Sequence, residues 1–338
     1  MPAQAPSPKS ASVRSSEAFF APLKEHIAIL DQFLAEQIDA FEPAVRELVR
    51  YTFTHRGKRL RPGLVFYAGW NNQLPSRDLV RAAAIVELVH LATLVHDDIL
   101  DEASLRHNSQ TVAARYGQHP AVLLGDALFA HALILSAEYP TTHVCRWIAR
   151  ATREVCSGEI CQTFDRGNTA LSLEQYFRII QLKTAELFEV SCRLGAHIAF
   201  GDEKYTEACA LFGRHLGIAY QIFDDIADFI GDEAGIGKTL GTDLASGKFT
   251  LPTLLHLRTL DDAAARQLAL DLEQRKISPE ELAARLRATA IPARCLEIFQ
   301  GEIAKAEAAL APHEGKPSVA LLQALSGYVR EQLATLSF

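Results

Sequence analysis

Apolar residues recur every three or four positions over most of the chain, which places them on one face of an α-helix. The segment 17–38 illustrates the pattern, with a common face formed by Phe20, Leu23, Ile27, Leu30 and Leu34. Short alternating runs that would form strands are nearly absent. The pattern predicts an all-α protein, with residues 17–338 in one large helical bundle. Residues 1–16, rich in Pro, Ala and Ser, are expected to be a disordered leader.

One predicted helix differs from the others because it has almost no polar side. Between Val80 and Val95 nearly every position is apolar, so this helix should lie at the centre of the fold, with Asp78 as its N-cap. Other helices are predicted around 43–54, 64–70, 119–137, 141–162, 172–200 and 203–231. Glycines between 231 and 247 then predict an irregular loop that ends at Pro252, and helices follow to the C-terminus.

The apolar segment 121–139 is long enough to cross a bilayer. Asp126 and His131 lie inside it, however, and ionisable side chains are costly in lipid. We therefore expect a buried helix of the bundle here and no transmembrane segment.

Composition limits the classes of function. The formal net charge is −7, which argues against nucleic acid as a partner, so any phosphate-recognising site must be a local basic pocket. The six cysteines form no CxxC pair and no spacing typical of a disulfide framework. Reduced thiols in a cytoplasmic protein are the expectation.

Two aspartate clusters with identical spacing end apolar segments. The first comprises Asp97, Asp98 and Asp101, and the second comprises Asp224, Asp225 and Asp228. Carboxylates four residues apart lie on one face of a helix and repel each other unless a cation lies between them. Oxygen ligands of this kind suit Mg²⁺. A single cluster could equally be a solvated helix end, but two copies favour a metal site.

Four basic stretches accompany the aspartates. They are Gly57-Lys58-Arg59-x-Arg61-Pro62, Arg106, Lys183-Thr184, and Gly237-Lys238-Thr239-Leu240-Gly241-Thr242-Asp243 with Gly247-Lys248. In this order and combination, the chain resembles the trans-prenyltransferases, the polyprenyl diphosphate synthases of the isoprenoid synthase fold. The resemblance covers 57–252 in motif detail and extends over the chain from Glu17. It implies a helical bundle around a central cavity, two diphosphate substrates and a homodimer.

The resemblance also implies roles for individual residues. The allylic diphosphate would lose pyrophosphate, and Mg²⁺ on Asp97, Asp101 and Asp224 would neutralise it, with Asp98, Asp225 and Asp228 completing the clusters. The contacts to the allylic diphosphate would be Arg106, Lys183, Lys238 and Lys248, assisted by Thr184 and Gln221. Isopentenyl diphosphate would bind a second basic pocket formed by Gly57, Lys58, Arg61 and His90.

Some of these assignments leave alternatives open. His90 lies on the same helix face as Asp97, seven residues earlier, but it could also be an ordinary core histidine. The ring of Tyr220 could stabilise an allylic cation or could simply pack. A flap carrying Lys238 and Lys248 is favoured over a Walker A phosphate loop, because Asp232 occupies the position that requires glycine and because the loop follows a helix.

One position departs from the family pattern. The family usually has two consecutive arginines after the first aspartate cluster, and here the pair is Arg106-His107. The second arginine helps to hold isopentenyl diphosphate. Histidine is shorter and, with a reference pKa near 6.5, mostly neutral at pH 7. We therefore expect weaker binding of this substrate, improving as the pH falls toward 6.

Product length is expected to depend on the wall below the first aspartate cluster. One helical turn is about 5 Å, so Thr93 and Ala92 lie one turn deeper than Asp97, and Val89 continues the wall. Phe129 and Leu133 are candidates for a deeper floor. Short-chain members of the family place a bulky aromatic residue near the aspartates, whereas the small residues here resemble long-chain members such as octaprenyl diphosphate synthase. A long all-trans polyprenyl diphosphate is the predicted product, and peripheral membrane contact would assist its release.

Three alternatives remain at this stage. A short-chain farnesyl or geranylgeranyl diphosphate synthase would share every motif except the wall. A terpene cyclase would share the first aspartate cluster but would need neither the second cluster in this form nor the basic turn at 57–62. A non-catalytic subunit of a heteromeric synthase would typically lose one cluster or the turn, and the chain keeps both.

Overall fold

The computed structural model describes residues 21–54, 57, 59–106, 109–230 and 241–334. In this part of the chain, sixteen α-helices and one two-stranded hairpin are present, which confirms the all-α prediction. The first helices are α1 (Lys24–Gln37), α2 (Arg46–Thr54), α3 (Leu60–Ala68), α4 (Arg77–Leu100), α5 (Val112–Tyr116), α6 (Gln118–Ala137), α7 (His143–Phe164) and α8 (Leu173–Ile180). The others are α9 (Glu186–Phe200), α10 (Glu203–Ile230), α11 (Thr242–Ala245), α12 (Leu251–Leu257), α13 (Asp262–Glu273), α14 (Pro279–Arg287), α15 (Ile291–Leu310) and α16 (Pro317–Ala334).

The central helix is α4, as its apolar sequence predicts. It packs against α1, α3, α6 and α9, and almost every residue from Leu79 to Ala92 is buried. Its N-cap is Ser76 rather than Asp78, because the extended backbone of Ser76 lets its hydroxyl accept from the N–H of Leu79 at 3.2 Å. Asp78 instead lies in the first turn, where a carboxylate interacts favourably with the helix dipole.

A π-helical segment, Gln181–Ala185, joins α8 to α9 and carries Lys183 and Thr184. Two neighbouring helices pack closely against this segment, each at a glycine. A Cβ on Gly158 of α7 would lie 2.6 Å from the backbone N of Lys183, and one on Gly217 of α10 would lie 2.6 Å from Cα of Ala185. The lack of side chains at both glycines lets the helices approach the π segment closely, and this contact fixes the position of Lys183.

Helix α6, expected to be a buried helix of the bundle, is buried on its inner face and exposed on its outer face. Leu123 is 67% exposed and Ile134 is 58% exposed, whereas Leu124 and Leu128 are enclosed by the core. By length and composition alone, two described helices could cross a membrane, namely α4 and α6. In their most apolar windows, 72% of α4 and 44% of α6 are buried inside the protein.

The β-hairpin and the start of α3 refine the expected pattern. Strand β1 (Leu105–Arg106) pairs antiparallel with β2 (Ser109–Gln110), directly after the first aspartate cluster. Arg61 lies in the first turn of α3 and not in a separate turn, since that helix begins at Leu60.

The predicted leader and residues 231–240 of the predicted glycine loop lie outside the described residues.

Candidate active site

The three aspartates at the end of α4 have different surroundings despite their even spacing. Asp98 is buried and accepts from Arg106 of β1, with Oδ1 2.8 Å from Nε and 2.7 Å from Nη2. Asp101 accepts from Nη2 of Arg166 at 2.7 Å and lies 3.2 Å from Nζ of Lys248 through both oxygens. Burial would raise the pKa of Asp101, but Lys248, Lys183 and Arg166 outweigh that effect and lower it.

Asp97 lies beside Lys183, which reaches it from the π segment. Burial raises the pKa of Asp97 to about 6, and the nearby carboxylates Glu159 and Asp101 add to the shift although Lys183 opposes it. Nζ of Lys183 forms a close ion pair with Glu159 and donates to Oε1 of Gln162 at 2.7 Å. Burial disfavours the ammonium, yet the three carboxylates around it raise the pKa of Lys183 above its usual value.

The second cluster, on α10, is joined to the π segment by hydrogen bonds. Asp225 is buried and accepts from the hydroxyl of Tyr176 at 2.5 Å and from Nε2 of Gln221 at 2.8 Å. Oε1 of Gln221 in turn accepts from the hydroxyl of Thr184 at 2.7 Å. Burial, followed by the neighbouring charge of Asp243, raises the pKa of Asp225 to about 8.

Asp228 fixes the segment that follows residue 240. Its Oδ2 accepts from the N–H of Asp243 at 3.2 Å, and its carbonyl accepts from the N–H of Gly241 at 2.9 Å. Asp243 is therefore placed beside the second cluster as a further carboxylate. Burial and the charge of Asp228 raise its pKa to about 6, against the opposing charges of Lys248 and Lys183.

Lys183 interacts electrostatically with carboxylates of two distant parts of the chain. Its charge acts on Asp97 and Asp101 of the first cluster and on Asp243 beside the second. A cleft of about 620 Å³, partly open to solvent, lies at this point. Its polar lining comes from Gln162, Asp165, Tyr176, Lys183, Thr184, Gln221, Asp225, Asp243, Lys248 and Thr250. The structure thus brings together Lys183, Thr184, Gln221 and Lys248, as the sequence predicts.

A second polar group lies where α3 meets α4. Nη1 of Arg61 is 3.0 Å from Nε2 of His90, and the guanidinium stacks 5.2 Å above the ring of Phe188. Burial, then the charges of Arg61, Arg106 and Arg59, hold the pKa of His90 well below its usual value. His90 is therefore a neutral acceptor for Arg61. Gly57, which was predicted to contribute to the same pocket, is exposed.

The residues predicted to control product length are enclosed to different degrees. Ala92 and Val89 are fully covered by neighbouring side chains, whereas Thr93 is half-buried and donates to the carbonyl of His90 at 2.7 Å. Phe129 is half-buried on α6, with its ring edge-on to His96 at 5.7 Å. Leu133 is 39% exposed on the outer face of α6, so it does not line an interior floor.

Tyr220 packs between two aromatic residues, with ring centroids 5.4 Å from Phe188 and 6.4 Å from Phe223. Burial and the charge of Asp224 raise the pKa of its hydroxyl. Both the packing and the electrostatic interpretation of Tyr220 remain compatible with this position.

Three predicted site residues lie outside the described part of the chain: Lys58, His107 and Lys238. Conversely, the structure adds site residues that sequence reasoning missed, namely Glu159, Gln162, Tyr176, Arg166 and Asp243. Glu159 and Gln162 are three residues apart on α7, a spacing that could have marked a polar stripe. Arg166 gave no such signal, because its partner Asp101 is 65 residues away.

The side chains fit a divalent oxygen-ligated cation. They offer carboxylate oxygens from two facing clusters, and the raised pKa of Asp97 reflects a buried carboxylate that a cation would stabilise. Among the described residues, no three carboxylates, imidazoles or thiols are close enough together to hold a metal as they stand. Asp98 and Asp101 are each paired with a guanidinium group instead.

Comparison with known proteins identifies the family. A model of the polyprenyl synthetase family matches residues 42–289. A heptaprenyl diphosphate synthase component 2 of Bacillus subtilis (strain 168) is 35% identical over 248 residues, which are 73% of this chain and 71% of that protein.

Solved structures agree with this match in fold. A decaprenyl diphosphate synthase of Rhodobacter capsulatus superposes with a TM-score of 0.84 at 29% identity, covering 94% of this chain and 99% of that one. A geranylgeranyl pyrophosphate synthetase of Pyrococcus horikoshii Ot3 superposes with a TM-score of 0.83 at 30% identity, covering 93% and 98%. The chain therefore belongs to the polyprenyl synthetase family of metal-dependent trans-prenyltransferases.

Proposed function

We propose that this prenyltransferase condenses an allylic diphosphate with isopentenyl diphosphate head-to-tail, and repeats the step to form a long-chain all-trans polyprenyl diphosphate. The observation that carries the proposal is that Lys183 lines the cleft together with Asp225 of the second aspartate cluster, where its charge also acts on Asp97 and Asp101 of the first. A fixed cation between facing carboxylates is suited to a leaving group that gains negative charge as its carbon–oxygen bond breaks.

The cations of the cleft would hold the allylic diphosphate. Lys183 is paired with Glu159, Lys248 with Asp101 and Arg106 with Asp98, so each can turn from a carboxylate to a phosphate oxygen nearby. Bound Mg²⁺ would supply neutralisation of the departing pyrophosphate, with Asp97, Asp101 and Asp224 as its ligands. Asp225, held by Tyr176 and Gln221, would keep the second cluster in place.

Isopentenyl diphosphate would bind beside α3 and α4. Neutral His90 accepts from Nη1 of Arg61, so the guanidinium is held in one orientation with its other donors available for phosphate oxygens. Attack by the double bond of isopentenyl diphosphate on the allylic cation forms the new carbon–carbon bond, and loss of a proton completes the step. Lys58 and His107 would complete this pocket.

Product length is proposed to be long because small side chains occupy the wall of α4 below Asp97. Thr93 and Ala92 carry no bulky side chain that would block a growing chain, as an aromatic residue at either position would. The relatives named above include a heptaprenyl and a decaprenyl diphosphate synthase. A geranylgeranyl pyrophosphate synthetase shares the fold equally well, so the argument for length rests on these side chains and not on the fold.

Purified protein incubated with Mg²⁺, labelled isopentenyl diphosphate and a panel of allylic diphosphates tests the proposal. Chromatographic sizing of the dephosphorylated products should give prenols longer than geranylgeraniol, and omission of Mg²⁺ should abolish them. Products that stop at farnesol or geranylgeraniol would contradict the long-chain assignment. An absence of any condensation product would contradict the proposed activity of the isolated chain.

We also propose that the protein forms a homodimer through the outer face of α6. Its exposed apolar side chains are Val122, Leu123, Leu133 and Ile134. Eleven residues are about three helical turns, so 122 and 133 lie on the same face, as do 123 and 134. Contiguous exposed apolar surface of this kind is typical of a protein interface.

A second candidate function has one specific observation in its favour. The relative from Bacillus subtilis is named as component 2 of a synthase, so this chain could act as one component of a heteromeric enzyme. Both aspartate clusters and Arg61 are in place, which favours catalysis by this chain in either case. Full activity of the purified chain alone would exclude the need for a second component.

A further inference from the structure

Asp101 is held between two cations from distant parts of the chain. Nη2 of Arg166 donates to Oδ1 at 2.7 Å, and Nζ of Lys248 lies 3.2 Å from both carboxylate oxygens. Arg166 follows the end of α7 and lies outside every motif described above. Its functional significance depends on its position in the fold, next to a carboxylate that is a proposed metal ligand.

The turns that carry the two cations are joined to each other. The N–H of Gly167 donates to the carbonyl of Gly247 at 2.8 Å. Both glycines have positive φ angles, of 80° and 77°, which favour glycine at these positions. Arg166 and Lys248 therefore reach Asp101 from adjoining turns. Asp165 and Lys248, on the same two turns, line the cleft.

The guanidinium of Arg166 has unused hydrogen-bonding capacity. Its Nε is buried and has no partner, and Asp101 is the one acceptor of its side chain among the described residues. About a quarter of the side chain, 26%, is exposed to solvent. Arginine presents five donors in a planar fork that matches two oxygens of a phosphate group. Because Arg166 donates to only one oxygen of Asp101, most of its donors remain available for a ligand.

Ligand binding would change the partner of Arg166. If Asp101 became a ligand of a divalent cation, Arg166 and Lys248 would both lose its counter-charge. A diphosphate in the cleft would supply negative oxygens beside Lys248, which lines the cleft and shares an oxygen of Asp101 with Arg166. We propose that Arg166 is a further binding residue for the diphosphate of the allylic substrate, acting beside Lys248. The inference rests on the proposed function, because it assumes that the cleft receives this substrate.

Calorimetric titration with inorganic pyrophosphate in the presence of MgCl₂ tests this inference without turnover. Loss of a charge-assisted hydrogen bond should raise the Kd of Arg166→Gln roughly tenfold. Arg166→Lys keeps the charge but loses the fork, so its Kd should lie between those of the wild type and Arg166→Gln. Arg153→Gln is the control, since Arg153 is on α7, 72% exposed, and paired with Glu154; its Kd should equal that of the wild type.

Steady-state kinetics provide the second measurement. The KM for the allylic diphosphate should rise in Arg166→Gln while the KM for isopentenyl diphosphate stays unchanged. An unaltered Kd in Arg166→Gln would overturn the inference. So would a lower Kd, which would mean that Arg166 only competes for Asp101. If the wild type forms product but Arg166→Gln binds pyrophosphate with the Kd of the wild type, only this inference is refuted. A wild-type protein with neither binding nor product would refute the proposed function as well.

Discussion

Asp97, Asp98 and Asp101 are evenly placed in the sequence but chemically distinct in the protein. Asp98 is neutralised by Arg106, and Asp101 by Arg166 and Lys248, whereas the pKa of Asp97 is raised to about 6 by burial and by nearby carboxylates. At the scale of single residues, the site is thus a set of carboxylate–cation pairs. When a metal cation and a diphosphate bind, the carboxylates can pair with the metal and the side-chain cations can pair with the diphosphate. This exchange has little electrostatic cost, because every charge keeps a counter-charge.

His107 is expected to weaken binding of isopentenyl diphosphate. Replacing it by arginine supplies a permanent charge, so the KM for isopentenyl diphosphate should fall roughly tenfold at pH 8. The two proteins should converge toward pH 6, since a histidine with a pKa near 6.5 gains its proton as the pH falls. Steady-state kinetics of wild type and His107→Arg between pH 6 and pH 8.5 measure this. An unchanged KM in His107→Arg would show that residue 107 does not contact the substrate.

His90→Gln separates the two histidines of the proposed pocket. Burial and three guanidinium groups hold the pKa of His90 well below its usual value, so His90 stays neutral throughout this pH range. His90→Gln should therefore raise the KM for isopentenyl diphosphate at every pH, because Arg61 loses an oriented partner. The fall in the KM for isopentenyl diphosphate toward pH 6 should persist in this variant. If the pH dependence disappears with His90, it does not come from His107.

The wall below Asp97 gives a prediction about product length. Thr93 is half-buried and one turn below Asp97, so Thr93→Phe should block the growing chain and shorten the main product by several isoprene units. Ala92→Phe should shorten it too, but Ala92 is fully enclosed, so overpacking should also cost about 1–3 kcal/mol of stability. Product sizing and thermal unfolding measure the two effects. An unaltered product distribution in both variants would refute the assignment of this wall.

At the scale of elements, the π segment positions the site. A regular helix from α8 into α9 would shift every later side chain around the axis, whereas the wider turn at Gln181–Ala185 brings Lys183 and Thr184 to the cleft. Lys183 then meets Glu159 and Gln162 of α7, and Thr184 meets Gln221 of α10. One irregular turn thereby connects α7 and α10, two helices that carry site residues.

Gly158→Ala tests how the π segment is held. A Cβ there would lie 2.6 Å from the backbone N of Lys183, so the segment must shift, and we expect a loss of about 1–3 kcal/mol in stability and a higher KM for the allylic diphosphate. Gly301→Ala is the matched control, because nothing lies within 4 Å of a Cβ at that position in α15. The free energy of unfolding of Gly301→Ala should rise by about 0.5–1 kcal/mol, because alanine is favoured over glycine inside a helix. Equal unfolding temperatures in the two variants would contradict the close packing.

The sequence predicted the elements better than the contacts between them. Apolar spacing located α4, α6, α7 and α10 to within a few residues, because each buries one or more faces. It did not predict the π segment, since a wider turn has no distinct apolar period. It also missed the pair of Arg166 with Asp101, which depends on how α7 ends relative to α4 and therefore on packing of the whole bundle.

At the scale of the whole molecule, one helix has two different faces. Leu124, Leu128 and Ala132 of α6 pack into the core beside α4, while its opposite face stays exposed. The first aspartate cluster lies at the end of α4, which also carries Thr93, Ala92 and Val89 of the proposed product wall. Any partner that covers the outer face of α6 would therefore also support the helix against which α4 packs. The oligomeric state should therefore influence stability and catalysis together.

The double variant Leu123→Glu/Ile134→Glu tests this link. Two carboxylates in the centre of the proposed interface would be buried without partners, so the protein should become monomeric and its unfolding temperature should fall. Light scattering after size-exclusion chromatography measures the mass. The control is Leu270→Glu, an equally apolar side chain that is 47% exposed on α13, and it should leave the mass unchanged. A double variant that keeps the mass of two chains would place the interface elsewhere. A wild-type protein with the mass of one chain would contradict the dimer itself, and the exposed apolar face of α6 would then be available for a membrane surface or for another subunit.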